Sequence, residues 1–427
     1  MKGQKWMVLC LAAVLSAAAL VHDAEAAQRE LTIAEALISA EKVNPEMKAA
    51  LAQVEQAREN VKMLKSGYYP NLLIEGQKGY GSPAEKRTGV MGQPHAINPT
   101  GGLSSKITLF DATRDYTLKS ARQKLLAAQE QSRIVRYKLY QNVLQLFFAG
   151  VRYRGQREVW ADMAHEIDKV VQKVDDLVRT GQHSVVERLL LQDPVIDAAM
   201  NRAVYAERYR WALSQLAIIT ELDENEFACP LPDALTEKYP EDFDASGTSP
   251  APARAKAEAE AARTGILVSS SKRLPKIQAL ANMGTYEKTR SGSVSMNYYS
   301  ANLALSLPLF EGFKVTNAIK KARAFSEEKE NGLKSAMLEL ARANARYDET
   351  TEVSRVKLQY LRQGREIAKD GLDQATIRYL SFEGPLNEVR EAIRNLARAR
   401  TQTIDTTVDL LQALGSKAVL NGATPRQ

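Results

Sequence analysis

The residue types that most often perform chemistry in proteins are few and scattered in this sequence. Beyond the first 26 residues the histidines are His95, His165 and His183, and none has another histidine or a cysteine at metal-ligand spacing. No nucleophile elbow is present, and no phosphate-binding glycine loop follows a strand. The sequence therefore predicts neither an enzyme nor a metal or cofactor site.

The remaining candidates are two carboxylates, Glu388 and Glu391. Their spacing places both on one face of a helix. Two interpretations are open. The pair either belongs to a solvated helix face with local salt bridges to Arg390 and Arg394, or it acts as a cluster of like charge. The matching position in an earlier segment offers only Glu187.

The N-terminus has the pattern of an export signal. Lys2 and Lys5 precede an apolar stretch over residues 6–21, which is followed by Ala24-Glu25-Ala26. This order predicts a secretory signal peptide over residues 1–26, cleaved after Ala26, with an N-terminal anchor helix as the alternative. The mature chain is then expected outside the cytoplasm.

Charge and cysteine content exclude several other classes of protein. The formal net charge of +7 is unchanged by removal of residues 1–26, because two lysines leave together with Asp23 and Glu25. This dispersed excess does not favour nucleic acid binding. Cys229 is the only cysteine outside that segment, so no intrachain disulfide is expected. No apolar run beyond Val21 is long enough for a spanning helix, which leaves a soluble protein or a β-barrel.

Two proline-free gaps leave room for long helices. No proline lies between Pro99 and Pro194, and none lies between Pro308 and Pro385. Within both gaps, apolar and small residues recur at alternating steps of three and four, which is typical of a coiled coil. In the first gap the seam consists of Leu118, Ala121, Leu125, Ala128, Ser132, Val135, Leu139, Asn142, Leu146, Ala149 and Tyr153; in the second it consists of Leu333, Ala336, Leu340, Ala343 and Tyr347.

A pair of short strands is predicted before each long helix. The first pair covers residues 69–80 and 101–110, and the second covers 275–286 and 297–309. The last segment alternates apolar and polar residues as a membrane strand does, whereas Asn71-Leu72-Leu73-Ile74-Glu75 breaks that alternation. The segments between paired strands, residues 81–100 and 287–296, are rich in Gly, Ser, Pro and charge and are predicted to be external loops.

The two halves of the chain repeat one another. Phe110 to Arg179 and Phe310 to Arg378 span nearly the same number of positions, as a duplication requires. The predicted organisation is a first repeat over residues 27–222, a connector or equatorial segment over 223–254, a second repeat over 255–415 and a tail over 416–427.

Four strands per chain cannot close a barrel. Open sheet edges in hydrocarbon leave backbone groups unpaired at a cost of several kcal/mol each. The chain must therefore oligomerise if it is a membrane barrel. Two copies supply the minimum of about eight strands and three supply twelve, and the residues alone do not choose between them.

Several short motifs resemble the TolC family of outer-membrane efflux proteins. Leu31-Thr32-Ile33-Ala34-Glu35-Ala36-Leu37 with Asn44-Pro45-Glu46 is similar to the opening helix of that family. Tyr69-Pro70-Asn71-Leu72 resembles its first strand entry. Leu307-Pro308-Leu309-Phe310-Glu311-Gly312 resembles its strand-to-helix junction, echoed by Ile107-Thr108-Leu109-Phe110-Asp111. The likeness extends over about residues 31–415.

The resemblance implies a mainly α fold with a transmembrane β part. It implies a homotrimer whose 12-stranded β-barrel lies in the outer membrane and continues as a periplasmic α-helical barrel. Such a channel conducts passively as the exit duct of a tripartite efflux or type I secretion system. Its partners are a periplasmic adaptor (membrane fusion) protein and, through that adaptor, an inner-membrane pump. The cargo is not encoded in these motifs.

The resemblance also assigns roles to individual residues. The turns of the family meet the adaptor, which makes Gly181, Ser184 and Glu383 the contact candidates. Glu388 and Glu391 match the carboxylates that narrow the tunnel at a periplasmic constriction, although Arg390 stands where an apolar residue is usual. Phe110, Phe310 and Gly312 are the junction residues. Independently of the resemblance, the long helices are expected to turn back at residues 179–184 and 380–385, where Gly181 and the Gly384-Pro385 pair are helix breakers.

A periplasmic coiled-coil adaptor or scaffold protein of an export system is the alternative. Such a protein contains one long hairpin framed by compact β domains. The present sequence has two matched units of a strand pair and a long helix instead, which favours the channel.

Overall fold

The structure is a computed structural model that describes residues 29–80, 96–182, 184–235, 243–244, 247–289 and 293–425. The predicted signal peptide lies outside these residues. The chain divides into two compact units. The core unit comprises Met1–Ala49, Arg133–Pro250 and Leu338–Gln427, and the sheet unit comprises Ala50–Ser132 and Ala251–Met337.

Most of the described chain is helical. The helices are α1 (Ile33–Val43), α2 (Pro45–Ser66), α3 (Ala112–Arg179), α4 (Val185–Leu190), α5 (Gln192–Thr220), α6 (Pro232–Leu235), α7 (Pro250–Ser270), α8 (Lys314–Leu380) and α9 (Leu386–Leu420). The strands are β1 (Arg29–Glu30), β2 (Asn71–Tyr80), β3 (Ala96–Phe110), β4 (Phe227–Ala228), β5 (Phe243–Asp244), β6 (Lys276–Thr289), β7 (Ser293–Ser306) and β8 (Thr424–Pro425).

The two long helices predicted from the proline gaps are present. Helix α3 has 68 residues and α8 has 67, so each is about 100 Å long at 1.5 Å per residue. The predicted seam of α8 is at least half-buried at all its positions, and it continues through Thr351, Ser354 and Leu358. The coiled-coil prediction is confirmed for this helix.

The seam predicted for α3 is correct only in its first part. Leu118, Ala121, Ser132 and Leu139 are buried, but Asn142 is exposed. Beyond Leu139 the helix buries a broader face, because it enters a core shared with α1, α5 and α9 rather than a single seam. The residues of α3 buried there are Tyr140, Val143, Leu144, Phe147, Phe148 and Val151.

The opening motif of the chain has a clear local cause. Thr32 is the N-cap of α1 and forms a capping box with Glu35, in which the Thr32 hydroxyl accepts from the Glu35 amide at 3.2 Å. The Asn44 side chain then accepts from the Met47 amide at 3.0 Å and starts α2. These two caps explain the spacing between Thr32 and Asn44.

Four strands form one antiparallel sheet in the order β2-β3-β6-β7. Both predicted hairpins are therefore present, but several boundaries differ. Strand β3 begins at Ala96, and β6 and β7 together extend over most of residues 287–296, so the predicted external loops contain strand residues. Strand β7 ends at Ser306 rather than at residue 309, because Pro308 lacks the amide that a ladder requires.

The connector is tied to both ends of the described chain. Strand β4 pairs in parallel with β1, and β5 pairs antiparallel with β8. Phe227, Cys229 and Phe243 are buried in the core unit. Burial also raises the pKa of the Cys229 thiol to about 12, so this cysteine stays protonated and unreactive at neutral pH.

Among the described residues, no helix combines the length and the apolar character needed to span a membrane.

Candidate functional site

One face of the four-stranded sheet is apolar. The register places Ile74 opposite Leu103, Leu103 opposite Met283, and Met283 opposite Tyr299. The row on the side away from the helices contains Gly76, Gly101, Thr285 and Asn297, whereas the two rows on the other side are largely apolar. Several side chains of this face are strongly exposed, with Leu303 at 75% and Tyr299 at 91%. The row that follows toward the helices contains Leu72, Ser105, Ala281 and Ala301, and the next contains Ile107, Ala279 and Leu303.

The opposite face is polar. Its rows contain Leu73 with Ser104, Asn282 and Ser300, and Asn71 with Lys106, Leu280 and Asn302. This register explains the broken alternation in the first strand. Leu72 and Ile74 lie on the apolar face, and Leu73 is the large apolar residue that residues 71–76 of β2 place on the polar face. The sheet is thus two-faced over all four strands.

The polar face is closely packed near its centre. A Cβ atom on Gly284 would lie 2.6 Å from the carbonyl oxygen of Gly101 and 2.9 Å from the Tyr298 ring. Gly102 is restricted in the same way, since a Cβ there would lie 2.9 Å from the Met283 carbonyl oxygen. The Tyr298 ring therefore lies against two glycines of the neighbouring strands, where no side chain fits.

The junction of β3 with α3 is tightly held. Phe110 ends the strand and is half-exposed, and Asp111 accepts from the Thr113 amide at 3.0 Å to cap the helix. Lys276 forms an ion pair with the other oxygen of Asp111 at 3.0 Å. Arg114 donates to the Thr108 carbonyl at 2.9 Å. Strand and helix are separated here by one residue only.

The junction of β7 with α8 is different. Seven residues, 307–313, separate strand from helix, so Phe310 lies in the linker and not at the strand end as the repeat predicts. Gly312 and Phe313 both have positive φ, 58° and 63°, which turns the chain into the helix. The rings of Phe310 and Phe313 pack edge to face at 5.7 Å, and both are well exposed. The duplication is therefore inexact at this point.

The first helix turn has Gly181 at its centre. The Gln182 amide donates to the Leu177 carbonyl at 2.9 Å, and the Gly181 amide donates to the Val178 carbonyl at 3.1 Å. With φ of 76° at Gly181, this is a Schellman motif. Ser184 is the N-cap of α4 and forms a capping box with Glu187, so its hydroxyl is occupied within the turn.

The second turn comprises residues 381–385 and contains the predicted break at Gly384-Pro385, but its residue with positive φ is not Gly384. Phe382 has φ of 61°, the Glu383 amide donates to the Arg378 carbonyl at 2.8 Å, and the Phe382 amide donates to the Tyr379 carbonyl. Phe382 therefore occupies the position that Gly181 has in the first turn. Pro385 is the N-cap of α9, and a Cβ on Gly384 would lie 3.3 Å from both Arg378 and Glu388. Gly384 thus provides space between these two side chains.

The two turns are connected by side chains of the core unit. The Tyr379 hydroxyl donates to the Glu187 carboxylate at 3.3 Å. Burial, and then the nearby Glu187 charge, raise the pKa of Tyr379 to about 12. Arg390 forms an ion pair with Asp193 at 2.6 Å, and Arg188 forms one with Asp175 at 2.7 Å.

A four-helix core lies beneath these contacts. Leu386, Val389 and Ile393 of α9 recur at coiled-coil spacing and are buried against α3, α5 and α8. Glu388 and Glu391 lie between these positions and face away from that core, which agrees with their predicted common face.

The two carboxylates differ in their surroundings. Glu388 is half-exposed and its Oε2 atom accepts from Arg378 at 2.9 Å, while Glu383 is exposed and its carbonyl accepts from the same Arg378. Glu391 is exposed and forms no hydrogen bond or ion pair with the described residues. The prediction of local salt bridges from these carboxylates to Arg390 and Arg394 is wrong. Arg390 pairs with Asp193 instead, and Glu388 pairs with Arg378 at the end of α8.

Sequence reasoning located both turns, through Gly181, Gly384-Pro385 and the motif around Glu388, but it did not predict the contacts that Tyr379, Asp193 and Arg378 make there. The described part of the chain contains no group of three or more His, Cys, Asp or Glu residues placed to hold a metal ion.

Comparison with known proteins agrees with this arrangement of strand pairs and long helices. The model of the family described as outer membrane efflux protein matches residues 36–220 and 244–416. No curated protein matched the chain.

Several solved structures have the same fold. The outer membrane protein VceC from Vibrio cholerae has a TM-score of 0.77 at 14% identity, covering 91% of this chain and 96% of VceC. The Campylobacter jejuni CmeC outer membrane channel has a TM-score of 0.73 at 14% identity, with 91% and 86% of the two chains covered. The Neisseria gonorrhoeae MtrE outer membrane channel, solved in its open state, has a TM-score of 0.70 at 15% identity, with 91% and 88% covered.

The chain belongs to the outer membrane efflux protein family, and the resemblance to the TolC family is confirmed. Its function is that of an outer-membrane efflux channel, and the family is a class of transport proteins rather than of enzymes.

Proposed function

We propose that three copies of the chain assemble into a passive exit duct. In this assembly the three four-stranded sheets close a 12-stranded barrel in the outer membrane, and the long helices form a periplasmic tunnel. The observation that carries the proposal is the sheet itself, with one apolar face, one polar face and edge strands β2 and β7 that each have one neighbour among the described strands.

The physical argument follows from the bilayer. Exposed Leu303 and Tyr299 are stable against lipid, whereas the backbone groups at both sheet edges need partners there. Strands of 10 to 15 residues are long enough to cross the hydrocarbon core at a tilt, which takes about 9–11 residues. Pairing β7 of one copy with β2 of the next satisfies both requirements.

The organisation of the chain in this duct is also part of the proposal. Residues 27–222 and 255–415 are the two repeats, 223–254 is an equatorial segment and 416–427 is the tail. Gly181, Ser184 and Glu383 lie in the two turns where a periplasmic adaptor is expected to dock, and an inner-membrane pump acts through that adaptor. Export by a tripartite efflux or type I secretion system is consistent with this arrangement.

Glu388 and Glu391 are proposed to form rings of carboxylates at the periplasmic constriction. Their support is that both side chains face away from the four-helix core at the tip. Rings of like charge favour cations in the pore. Glu391 is expected to dominate, because Arg378 compensates part of the charge of Glu388.

The oligomeric state in detergent and the planar-bilayer conductance of one sample test the duct. A trimer extracted from the outer-membrane fraction that conducts ions supports it. A monomer released with soluble periplasmic proteins contradicts it and favours the coiled-coil scaffold.

A further inference from the structure

Charged side chains are rare on the four-stranded sheet. The strand residues whose side chains are described are 71–76, 101–110, 276–285 and 297–306, and their charged members are Glu75, Lys106 and Lys276. The register places all three on the polar face. Contact with lipid explains why the apolar face carries no charge over these residues, but it does not explain the three charges on the other face.

One of the three charges is neutralised within the chain. Lys276 forms its ion pair with Asp111 at 3.0 Å and thereby supports the junction of β3 with α3. Lys106 is exposed and forms no ion pair or hydrogen bond with the described residues, and the same holds for Glu75. Lys106 therefore carries a positive charge that the described part of the chain does not compensate directly.

Glu75 is too far away to compensate Lys106. It lies opposite Gly102, which is four residues from Lys106 along β3. At about 3.3 Å per residue the two side chains start about 13 Å apart along the sheet. This separation exceeds the Debye length of about 8 Å at physiological ionic strength. The positive and the negative charge thus act at two separate heights of the sheet.

The surroundings of Lys106 are polar but neutral. Its own row contributes the amides of Asn71 and Asn302. In the next row toward the helices, the Gln278 amide donates to the Thr108 hydroxyl at 3.3 Å. The rows on either side of Lys106 contain no carboxylate among the described residues. An anion that approaches Lys106 therefore meets an ammonium group and neutral hydrogen-bonding groups.

The proposed barrel brings three such lysines together. Rotational symmetry places Lys106 of each copy at one height. Twelve strands spaced about 4.8 Å apart and tilted by about 40° give a backbone radius of roughly 12 Å. An extended lysine spans about half of that radius, so the three ammonium groups would lie roughly 10 Å apart and roughly 6 Å from the axis.

This geometry is sufficient to concentrate anions. In water at about 0.1 M salt, one ammonium group at roughly 6 Å raises the local concentration of a monovalent anion by roughly twofold. Three groups together raise it several-fold, and the effect grows with the charge of the anion. Rings of basic side chains favour anions in pores for the same reason.

We propose that Lys106 forms an anion-binding ring in the barrel and determines part of the specificity of the duct. The ligands are small polyvalent oxyanions, which can contact two or three ammonium groups at once. The inference rests on the proposed homotrimeric duct. It gives the barrel a charge preference opposite to that of Glu388 and Glu391 in the core unit.

Block of the current by citrate in planar bilayers tests this ring. Citrate carries three carboxylates and is expected to reduce the chloride current of the wild-type trimer. Lys106→Gln keeps the length of the side chain but removes its charge, so the half-blocking citrate concentration is expected to rise by about tenfold or more. Lys106→Arg keeps the charge and is expected to keep the block.

Chemical modification of a cysteine variant provides a matched control. Lys106→Cys is expected to lose the block and to regain it when a cationic methanethiosulfonate reagent restores the charge, but not with an anionic one. Ser105→Cys lies one residue away on the apolar face, and the same reagents are expected to leave its block unchanged. Cys229 is buried and does not interfere.

The possible failures are distinguishable. A conducting trimer that citrate does not block, or whose block survives in Lys106→Gln, overturns the ring but leaves the duct intact. A conducting trimer in which modification of Ser105→Cys, and not of Lys106→Cys, changes the block shows that the other face lines the pore and also overturns the ring. A wild-type monomer that does not conduct overturns both.

Discussion

The guanidinium of Arg378, at the end of α8, lies 2.9 Å from the carboxylate of Glu388, in the first turn of α9. The same side chain donates to the Glu383 carbonyl at 3.3 Å, so one arginine holds both the turn and the helix that follows it. Three residues further along α9, Glu391 forms no hydrogen bond or ion pair with the described residues. Two acids on one face are therefore unequal in effective charge.

The first prediction concerns ion selectivity. The variant Glu391→Gln is expected to lower the preference for cations over anions more than Glu388→Gln does, because Arg378 already compensates Glu388. Arg378→Met is expected to raise that preference. Reversal potentials under a salt gradient in planar bilayers measure these changes.

A glutamate far from the turns serves as the control for that experiment. Glu339→Gln changes the same charge on the exposed surface of α8 and is expected to leave the reversal potential unchanged. If Glu388→Gln and Glu391→Gln behave like Glu339→Gln, the two carboxylates do not line the conducting path.

A second prediction concerns the first turn. Gly181 has φ of 76° and open space around its Cα, so Gly181→Ala is expected to cost about 1–2 kcal/mol through backbone strain alone. Gly332→Ala in the middle of α8 is expected to stabilise by roughly 0.5–1 kcal/mol. Denaturant midpoints measured for both variants should shift in opposite directions. Equal shifts would mean that Gly181 is not held in the left-handed conformation.

The elements of this fold could be predicted where local chemistry decides them. The proline gaps and the three-four stepping identify α3 and α8 because a helix excludes interior proline and repeats its buried face. Junction motifs also placed Phe110 correctly at a strand end. By contrast, the seam of α3 departs from prediction at Asn142, since the core there is formed by helices distant in sequence.

The candidate site was less accessible to sequence reasoning. The second helix turn could be located from the Gly384-Pro385 pair, but its left-handed residue, Phe382, could not be predicted, because glycine is the usual residue with positive φ and a phenylalanine gives no such signal. The partners of Glu388 and Arg390 are 10 and 197 positions away. Such pairs depend on the crossing of helices, which a single sequence does not specify.

A third prediction concerns the sheet. Gly284→Ala places a Cβ 2.6 Å from the Gly101 carbonyl oxygen, so the backbone of β3 or β6 must shift, at a cost of about 1–3 kcal/mol. Gly76→Ala on β2 meets no atom within 4 Å and is the matched control. The temperature at which the detergent-extracted oligomer dissociates on a gel is expected to fall for Gly284→Ala only. A similar fall for Gly76→Ala would show that the sheet requires glycine at both positions, and that the close contact at Gly284 is not the cause.

The last prediction links Tyr379 to stability at high pH. Its pKa is raised from 10.0 to about 12 in the folded chain, so the neutral phenol stabilises the fold fully below pH 10. That contribution is lost as the pH rises toward 12, because unfolded tyrosine ionises first. A shift of two pKa units corresponds to about 2.7 kcal/mol, which is the upper limit of this contribution. Tyr379→Phe removes the titrating group and is expected to cost about 1 kcal/mol at pH 8 for the lost hydrogen bond to Glu187.

The difference between the two proteins is the informative quantity, because Tyr137, Tyr140 and Tyr209 also have raised pKa values and titrate in both. The unfolding free energy of the wild type is expected to exceed that of Tyr379→Phe at pH 8 and to approach or fall below it by pH 12. Glu187→Gln keeps a hydrogen-bond acceptor but removes the charge, so it should reduce the pH dependence by only the smaller, electrostatic part. A constant difference between wild type and Tyr379→Phe across this pH range would show that the phenol is not buried at the turn.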